Sequence, residues 1–167
     1  DTPNQLPVIW TLAKQFALCD HWFSSLPGPT FPNRLFLYGG SSVGLADNPS
    51  ALWSLPSMGF TYPNGSIFDS LKKQGVVYRI YFDEAINQVT PPMVGLIKGI
   101  QWPVNIHNFN PGLLPWTGFA NDVQDPHYPE GYTFIEPNYG SVLTQSFIGG
   151  SSQHPMSGMH DGEKLIK

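Results

Sequence analysis

The sequence predicts an α/β fold with a largely parallel central sheet and flanking helices. A helix followed by a strand occurs twice, within residues 66–82 and again within 116–136. Alternation of this kind is how parallel strands are joined by helical crossovers. Both strands run into acidic residues, Asp83-Glu84 and Glu136, and in open α/β sheets chemistry gathers past the carboxyl ends of the strands.

The elements follow in order. Residues 6–16 read as a helix, with Pro7 at a first helical position and Leu6, Ile9, Leu12 and Phe16 on one apolar face. Residues 16–20 read as a short buried strand that delivers Asp20, and 24–29 as a loop of turn formers. Thr30 is a competent N-cap, with Pro32 in the first turn of the helix it opens. Residues 39–65, rich in Gly, Ser, Pro and Asn, are mostly loop. Residues 66–75 form the clearest helix, with a Ser66 cap and a Gly75 stop. Strand 76–82 follows, then helix 116–123 and strand 132–135, which runs into Glu136. Residues 161–167 start a helix that runs under two turns, too short to be stable alone. This predicts the central portion of a longer domain.

Composition bounds the function. The 167 residues fit one domain, and eight basic against twelve acidic residues give a net charge of −4, which argues against a nucleic-acid partner. Charged residues are 12% and hydrophobic residues 41%, enough apolar material for a core. The 17 Gly and 17 Pro are scattered rather than repeated, so the chain is loop-rich, not low-complexity. Its single cysteine, Cys19, excludes an internal disulfide framework. No apolar run reaches the roughly 18 residues of a membrane-spanning helix. Asn64-Gly65-Ser66 is a glycosylation sequon in a turn-forming stretch. The aromatics Trp10, Trp22, Phe31 and Phe36 read as core.

Three residues are candidates for chemistry. Thr30, at a helix start, faces free backbone amides and the positive end of the helix dipole, a place for a phosphate. The same position equally suits a structural cap. Ser42, in Gly40-Ser41-Ser42-Val43-Gly44, matches the nucleophile-elbow pattern, but residues 45–49 leave no room for the helix that an elbow needs. His154 lies in a polar loop and is able to contact phosphate oxygens or protonate a leaving group. His21, His107 and His127 stand alone, and no spacing in the chain builds a metal site.

Several stretches together resemble a known family. Gly28-Pro29-Thr30-Phe31-Pro32-Asn33-Arg34-Leu35-Phe36, Ile67-Phe68-Asp69-Ser70-Leu71, Phe134-Ile135-Glu136-Pro137-Asn138-Tyr139-Gly140 and Gln153-His154-Pro155 occur in the order seen in the phosphoesterase family. That family holds the bacterial and plant non-specific phospholipases C and related acid phosphatases. The resemblance implies an alkaline-phosphatase-like fold and hydrolysis of a phosphate ester through a phospho-threonine on Thr30, which as the nucleophile would also contact a divalent metal. It assigns His154 to the phosphate or the leaving group. It gives Asn33 and Arg34 the task of shaping the nucleophile loop, or of binding substrate in the case of Arg34. The chain departs from many relatives at Ser151-Ser152, where they carry Asn-Asp, and at Gly158-Met159, where they often carry Asp-Val.

The resemblance also implies that residues 1–167 form a single partial domain. The family's remaining metal ligands lie in segments upstream and downstream of the matched region. The substrate would be a phospholipid or a small phosphate ester, with transient contact at a membrane surface and a secreted or periplasmic setting. Two other readings stand beside it. One is a phosphate- or headgroup-binding module without catalysis. The other is a serine hydrolase using Ser42 with His154 and either Asp122 or Asp125.

Overall fold

The computed structural model describes residues 4–49, 59–83, 93–100, 104–105, 118–129, 131–140, 147–154 and 157–167. Its helices are α1 (Pro7–Gln15), α2 (Thr30–Gly39), α3 (Ile67–Lys73), α4 (Phe119–Asp122) and α5 (Met159–Ile166). Its strands are β1 (Tyr78–Phe82), β2 (Val104–Asn105) and β3 (Tyr132–Glu136), in the order β2-β1-β3. Both pairings are parallel, with Tyr78 opposite Tyr132 and Phe82 opposite Glu136. The α/β class and the parallel sheet are as the sequence predicts.

Period-two alternation gives the sheet two faces. Tyr78, Ile80, Tyr132 and Phe134 pack toward α2 and α3, where Leu35, Tyr38 and Phe68 close the core with Phe60, Tyr62, Val94, Leu96 and Ile97. Phe68 is the centre of this layer: its ring centroid lies 5.2 Å from that of Tyr78, 6.2 Å from Tyr38 and 6.5 Å from Phe134. The opposite face carries Arg79 and Tyr81. Tyr81 meets Phe119 of α4 edge-on at 5.2 Å and donates to Asp122 at 2.7 Å. Helices therefore flank both faces.

Helix α2 stops at Gly40, whose left-handed backbone (φ 68°) caps it, and Gly39 before it is glycine for a packing reason. A Cβ there would sit 2.3 Å from the Tyr62 ring, whose hydroxyl donates to the Leu35 carbonyl at 2.7 Å. Helix α5 is tied to α1 by the buried Glu163, whose carboxylate accepts the Val8 and Ile9 amides at 2.6 and 3.0 Å. A carboxylate on the free amides of a helix start is favourable in both hydrogen bonding and dipole.

Several expectations are corrected. Residues 16–20 are exposed rather than a buried strand. Phe16 and Leu18 each keep 70% of their surface, and no described residue forms a ladder with them. The stretch has no β-branched residue, and a strand exists only where its backbone finds a neighbour. Asp20 is thus not delivered by a strand end. Trp10 and Trp22 are exposed rather than core, and no residue of α1 is buried. Strand β1 begins at Tyr78 rather than 76, and α5 begins at Met159. Of the helix expected over 116–123, Phe119–Asp122 forms; residues 116–117, like Glu84, His107, Trp53 and Trp102, lie outside the described residues.

Helix α3 holds its start by a reciprocal cap. The Asp69 amide donates to the Ser66 hydroxyl at 3.2 Å, and the Asp69 carboxylate accepts the Ser66 amide at 2.6 Å. Those bonds, the backbone one foremost, hold the Asp69 carboxyl below its ordinary range. A depressed folded-state pKa contributes stability that is whole above the unfolded value and is lost as pH falls through the folded one. Ser66→Ala should lower stability by about 1 kcal/mol in a urea titration. The gap between wild type and Asp69→Asn should narrow below about pH 4, and an undiminished gap there would show that the charge is not what the cap uses.

Candidate functional site

The loop before α2 is shaped by proline and by one side chain. Pro27 and Pro29 restrict the backbone, and Asn33 reaches back from the helix to fasten it. Its Oδ1 accepts the Leu26 amide at 3.0 Å, and its Nδ2 donates to the carbonyls of Leu26, Gly28 and Pro29 at 3.0, 3.1 and 3.0 Å. Asn33 therefore acts on the loop backbone.

Thr30 is the first helical residue, and the N-cap is Pro29, which makes no side-chain cap bond. The expected Thr30 cap is thus corrected: the helix begins one residue earlier than a Thr30 cap would require, and the threonine side chain is exposed with its hydroxyl not engaged in capping. Helix starts leave four amides without helical partners. Here two of those four positions, Pro29 and Pro32, have no N–H. A third, Phe31, donates to Asn48 Oδ1 at 3.0 Å. The Thr30 amide is the one left without a partner among the described residues, and it adjoins the Thr30 hydroxyl. No acidic residue occupies the first turn, so the dipole's positive end is not offset there.

One turn on, Arg34 points the other way, into the protein. Its guanidinium lies 4.8 Å from the centroid of the Tyr139 ring, a cation–π contact. Glu136, at the end of β3, is fully buried. Its Oε1 accepts the Met93 amide at 2.7 Å and the Tyr139 hydroxyl at 2.8 Å; its Oε2 accepts the Val94 amide at 2.9 Å. Burial raises the Glu136 pKa, opposed by the Arg34 charge and by the two amides and the phenol. Burial pulls Arg34 down, but Tyr139, Tyr38 and Glu136 outweigh it, so the guanidinium stays charged. The phenols of Tyr139 and Tyr38 are pushed up, by burial first and then by Glu136.

Past Glu136 the chain meets the loop that carries His154. The Ser151 amide donates to the Asn138 carbonyl at 2.8 Å, and the Asn138 amide donates to the Ser151 hydroxyl at 3.0 Å. That hydroxyl in turn donates to Asp83, just past β1. The Asn138 carboxamide oxygen accepts the Gly140 amide at 2.7 Å. Ser151 thus binds the loop to the carboxyl ends of both β1 and β3. The His154 imidazole stacks on Phe147, with centroids 3.8 Å apart and planes 13° from parallel; it is half-buried rather than solvent-facing.

The structure groups Thr30, Asn33 and Arg34 on one helix start, and connects that helix to the His154 loop through the 136–140 segment. It does not assemble the alternative triad. Ser42 follows a helix, not a strand, because residues 35–38 belong to α2, so the elbow geometry is absent. Asp122 is engaged by Tyr81 and, at 3.6 Å, by Arg79, while Asp125 pairs with His127. Among the described residues no three His, Cys, Asp or Glu side chains converge as metal ligands. Sequence reasoning missed the roles of Glu136, Tyr139 and Phe147. A signal was present for the first: alternation places Glu136 on the core face with Tyr132 and Phe134.

With this geometry in place, comparison with known proteins defines the class. The chain matches the Phosphoesterase family over residues 2–167, and it belongs to that family. It is 32% identical over 165 residues to non-specific phospholipase C6 of Arabidopsis thaliana, and 28% identical over 165 residues to non-specific phospholipase C3 of the same plant. Each match covers 99% of this chain and 28% of the relative. Over 96 residues, 52% of the chain and 13% of the relative, it is 31% identical to the non-hemolytic phospholipase C of Pseudomonas aeruginosa. The chain therefore spans little more than a quarter of the length of these plant relatives.

Removing the Glu136 carboxylate would leave the Met93 and Val94 amides and the Tyr139 hydroxyl without their acceptor. Glu136→Ala should lower stability by roughly 3 kcal/mol or more, at about 1–3 kcal/mol for each buried donor left without its acceptor. A denaturant titration reads this directly, and a loss below about 1 kcal/mol would show that the network is not structurally required.

Proposed function

We propose that this chain contributes the nucleophile and a phosphate-contacting histidine to a phosphate-ester hydrolase of the phospholipase C type. The observation that carries the reading is the state of Thr30. Its hydroxyl is exposed at the first position of a helix, beside an amide without a partner among the described residues, on a loop locked by Asn33. Family membership and the phospholipase C names of the relatives support it.

In this reading the α2 start holds a phosphoryl oxygen while the Thr30 Oγ attacks phosphorus. The Oγ–P bond forms as the bond from phosphorus to the alcohol oxygen breaks, and His154 carries the proton to that departing oxygen. Water then cleaves the phospho-threonine and restores the hydroxyl. Asn33 and Arg34 hold the helix start; Arg34 reaches substrate only by leaving Tyr139. A divalent ion, implied by the family resemblance, would stabilise charge on the phosphoryl oxygens. The described residues do not by themselves make its site, so the steps above do not pass through it.

The substrate class is a phospholipid, in keeping with the relatives' names. Exposed Phe16, Leu18, Trp22 and Phe23 support transient contact with a lipid surface, and no helix among the described residues is long and apolar enough to cross a membrane. Helices on both sheet faces are compatible with an alkaline-phosphatase-like fold.

Turnover of phosphatidylcholine vesicles and of p-nitrophenyl phosphate tests the reading in the full-length protein. Thr30→Ala should reduce hydrolysis at least about a thousandfold with an unchanged circular dichroism spectrum. Near wild-type turnover in that variant would remove Thr30 from the mechanism. Saturable phosphate binding without turnover in the wild type would instead favour the non-catalytic binding module.

A further inference from the structure

The loop bearing His154 holds two non-glycine residues in the left-handed region, Phe147 at φ 53° and Gln153 at φ 55°. Side-chain-bearing residues adopt this conformation rarely, and it persists where the surroundings over-determine it. At Gln153 the surrounding is α5, where Gly162 makes room: a Cβ there would sit 2.2 Å from Gln153 Cγ.

Phe147 is held through its backbone. Its carbonyl accepts the Ser157 hydroxyl at 2.6 Å and the Gly150 amide at 3.4 Å. Gly140, just past β3, presses against the same peptide, and a Cβ on Gly140 would fall 2.6 Å from the Phe147 carbonyl carbon and oxygen. With its backbone fixed to the sheet end, the ring of Phe147 forms a wall against which the imidazole lies flat, at 3.8 Å. A ring stacked in this way is restrained from turning about its Cβ–Cγ bond, so the plane that holds its two nitrogens is set by the Phe147 ring.

We propose that Phe147 is a positioning residue: its ring fixes the plane of the His154 imidazole so that a ring nitrogen is presented to the phosphoryl group or leaving oxygen. The proposal rests on the role of His154 given above. It adds a residue that touches no substrate and acts only through the histidine.

The test is a double-mutant cycle in the full-length protein, read by turnover and by proton NMR of His154. Phe147→Leu should move the His154 ring protons downfield, as the ring current is lost. It should lower kcat about tenfold with KM within about twofold, while Phe147→Tyr keeps both wild-type properties. In a His154→Ala background, Phe147→Leu should have no further effect. An equal loss in that background would overturn the proposal, because Phe147 would then act on something other than the histidine. So would wild-type kcat in a folded Phe147→Leu protein whose ring-current shift has gone. Phe147→Met, unbranched, gives the same reading if leucine is not tolerated. Wild-type turnover in His154→Ala alone would sink the role of the histidine itself, a separate result.

Discussion

The structure depends on a carboxylate shut away from the protein surface. Glu136 is fully buried, and transferring an ion of that size from solvent carries an effective penalty of several kcal/mol. The offset comes from three separate parts of the fold: two amides from residues 93–94, a phenol three positions beyond β3, and the charge of the α2 guanidinium. Hydrogen bonds to a charged group contribute about 1.5–3 kcal/mol each, so three of them are comparable to the penalty rather than clearly above it. The raised pKa says which side prevails: the folded protein holds this proton more tightly than the unfolded chain does. Its contribution therefore weakens as pH rises from the ordinary glutamate range through the raised value. A group placed at such a balance fixes geometry more than it adds stability.

What was legible in the sequence is what is local. Helix α3 announces itself through Ser66, Asp69 and Gly75, because a capping box and a glycine stop act within a turn or two. Strands β1 and β3 are visible as aromatic and β-branched runs, and their parallel pairing follows from the intervening chain. The failures are non-local. Residues 16–20 have an apolar composition, but whether they pair depends on a neighbour that no window of sequence contains. Thr30 has the chemistry of a cap, yet Pro29 ahead of it takes the extended cap position and turns the threonine into the first helical residue. Of the candidate site, the nucleophile segment was legible as a motif. The contacts of Arg34 and His154 were not, since Tyr139 and Phe147 lie more than a hundred residues from α2 or outside any recognised pattern.

Ser151 and Ser152, which stand where the family resemblance implies an Asn-Asp pair, differ in how they are held. Ser151 accepts the Asn138 amide and donates to Asp83 through one hydroxyl. A hydroxyl is suited to this because it is donor and acceptor at once. Ser152 differs, since its buried hydroxyl has no hydrogen-bond partner among the described residues. Ser151 is thus built into the sheet end. Ser152 is not explained by any contact.

The segment 136–140 joins both halves of the candidate site, and its side chains divide the task by direction. Tyr139 turns toward α2 and takes the Arg34 guanidinium on its face, while its hydroxyl returns to Glu136. Asn138 and Gly140 turn toward the other loop, through Ser151 and the Phe147 peptide. Thr30 and His154 are therefore referenced to the same five residues, one through a cation–π contact and the other through backbone hydrogen bonds. The first of these links tolerates small shifts, because a charge over a ring face has a broad minimum. The second does not, because a backbone pressed on a glycine has no slack. On this arrangement the His154 loop takes its place directly from the sheet end, whereas the Thr30 helix takes its own from the core through Leu35 and Tyr38 and meets the segment only by a ring face.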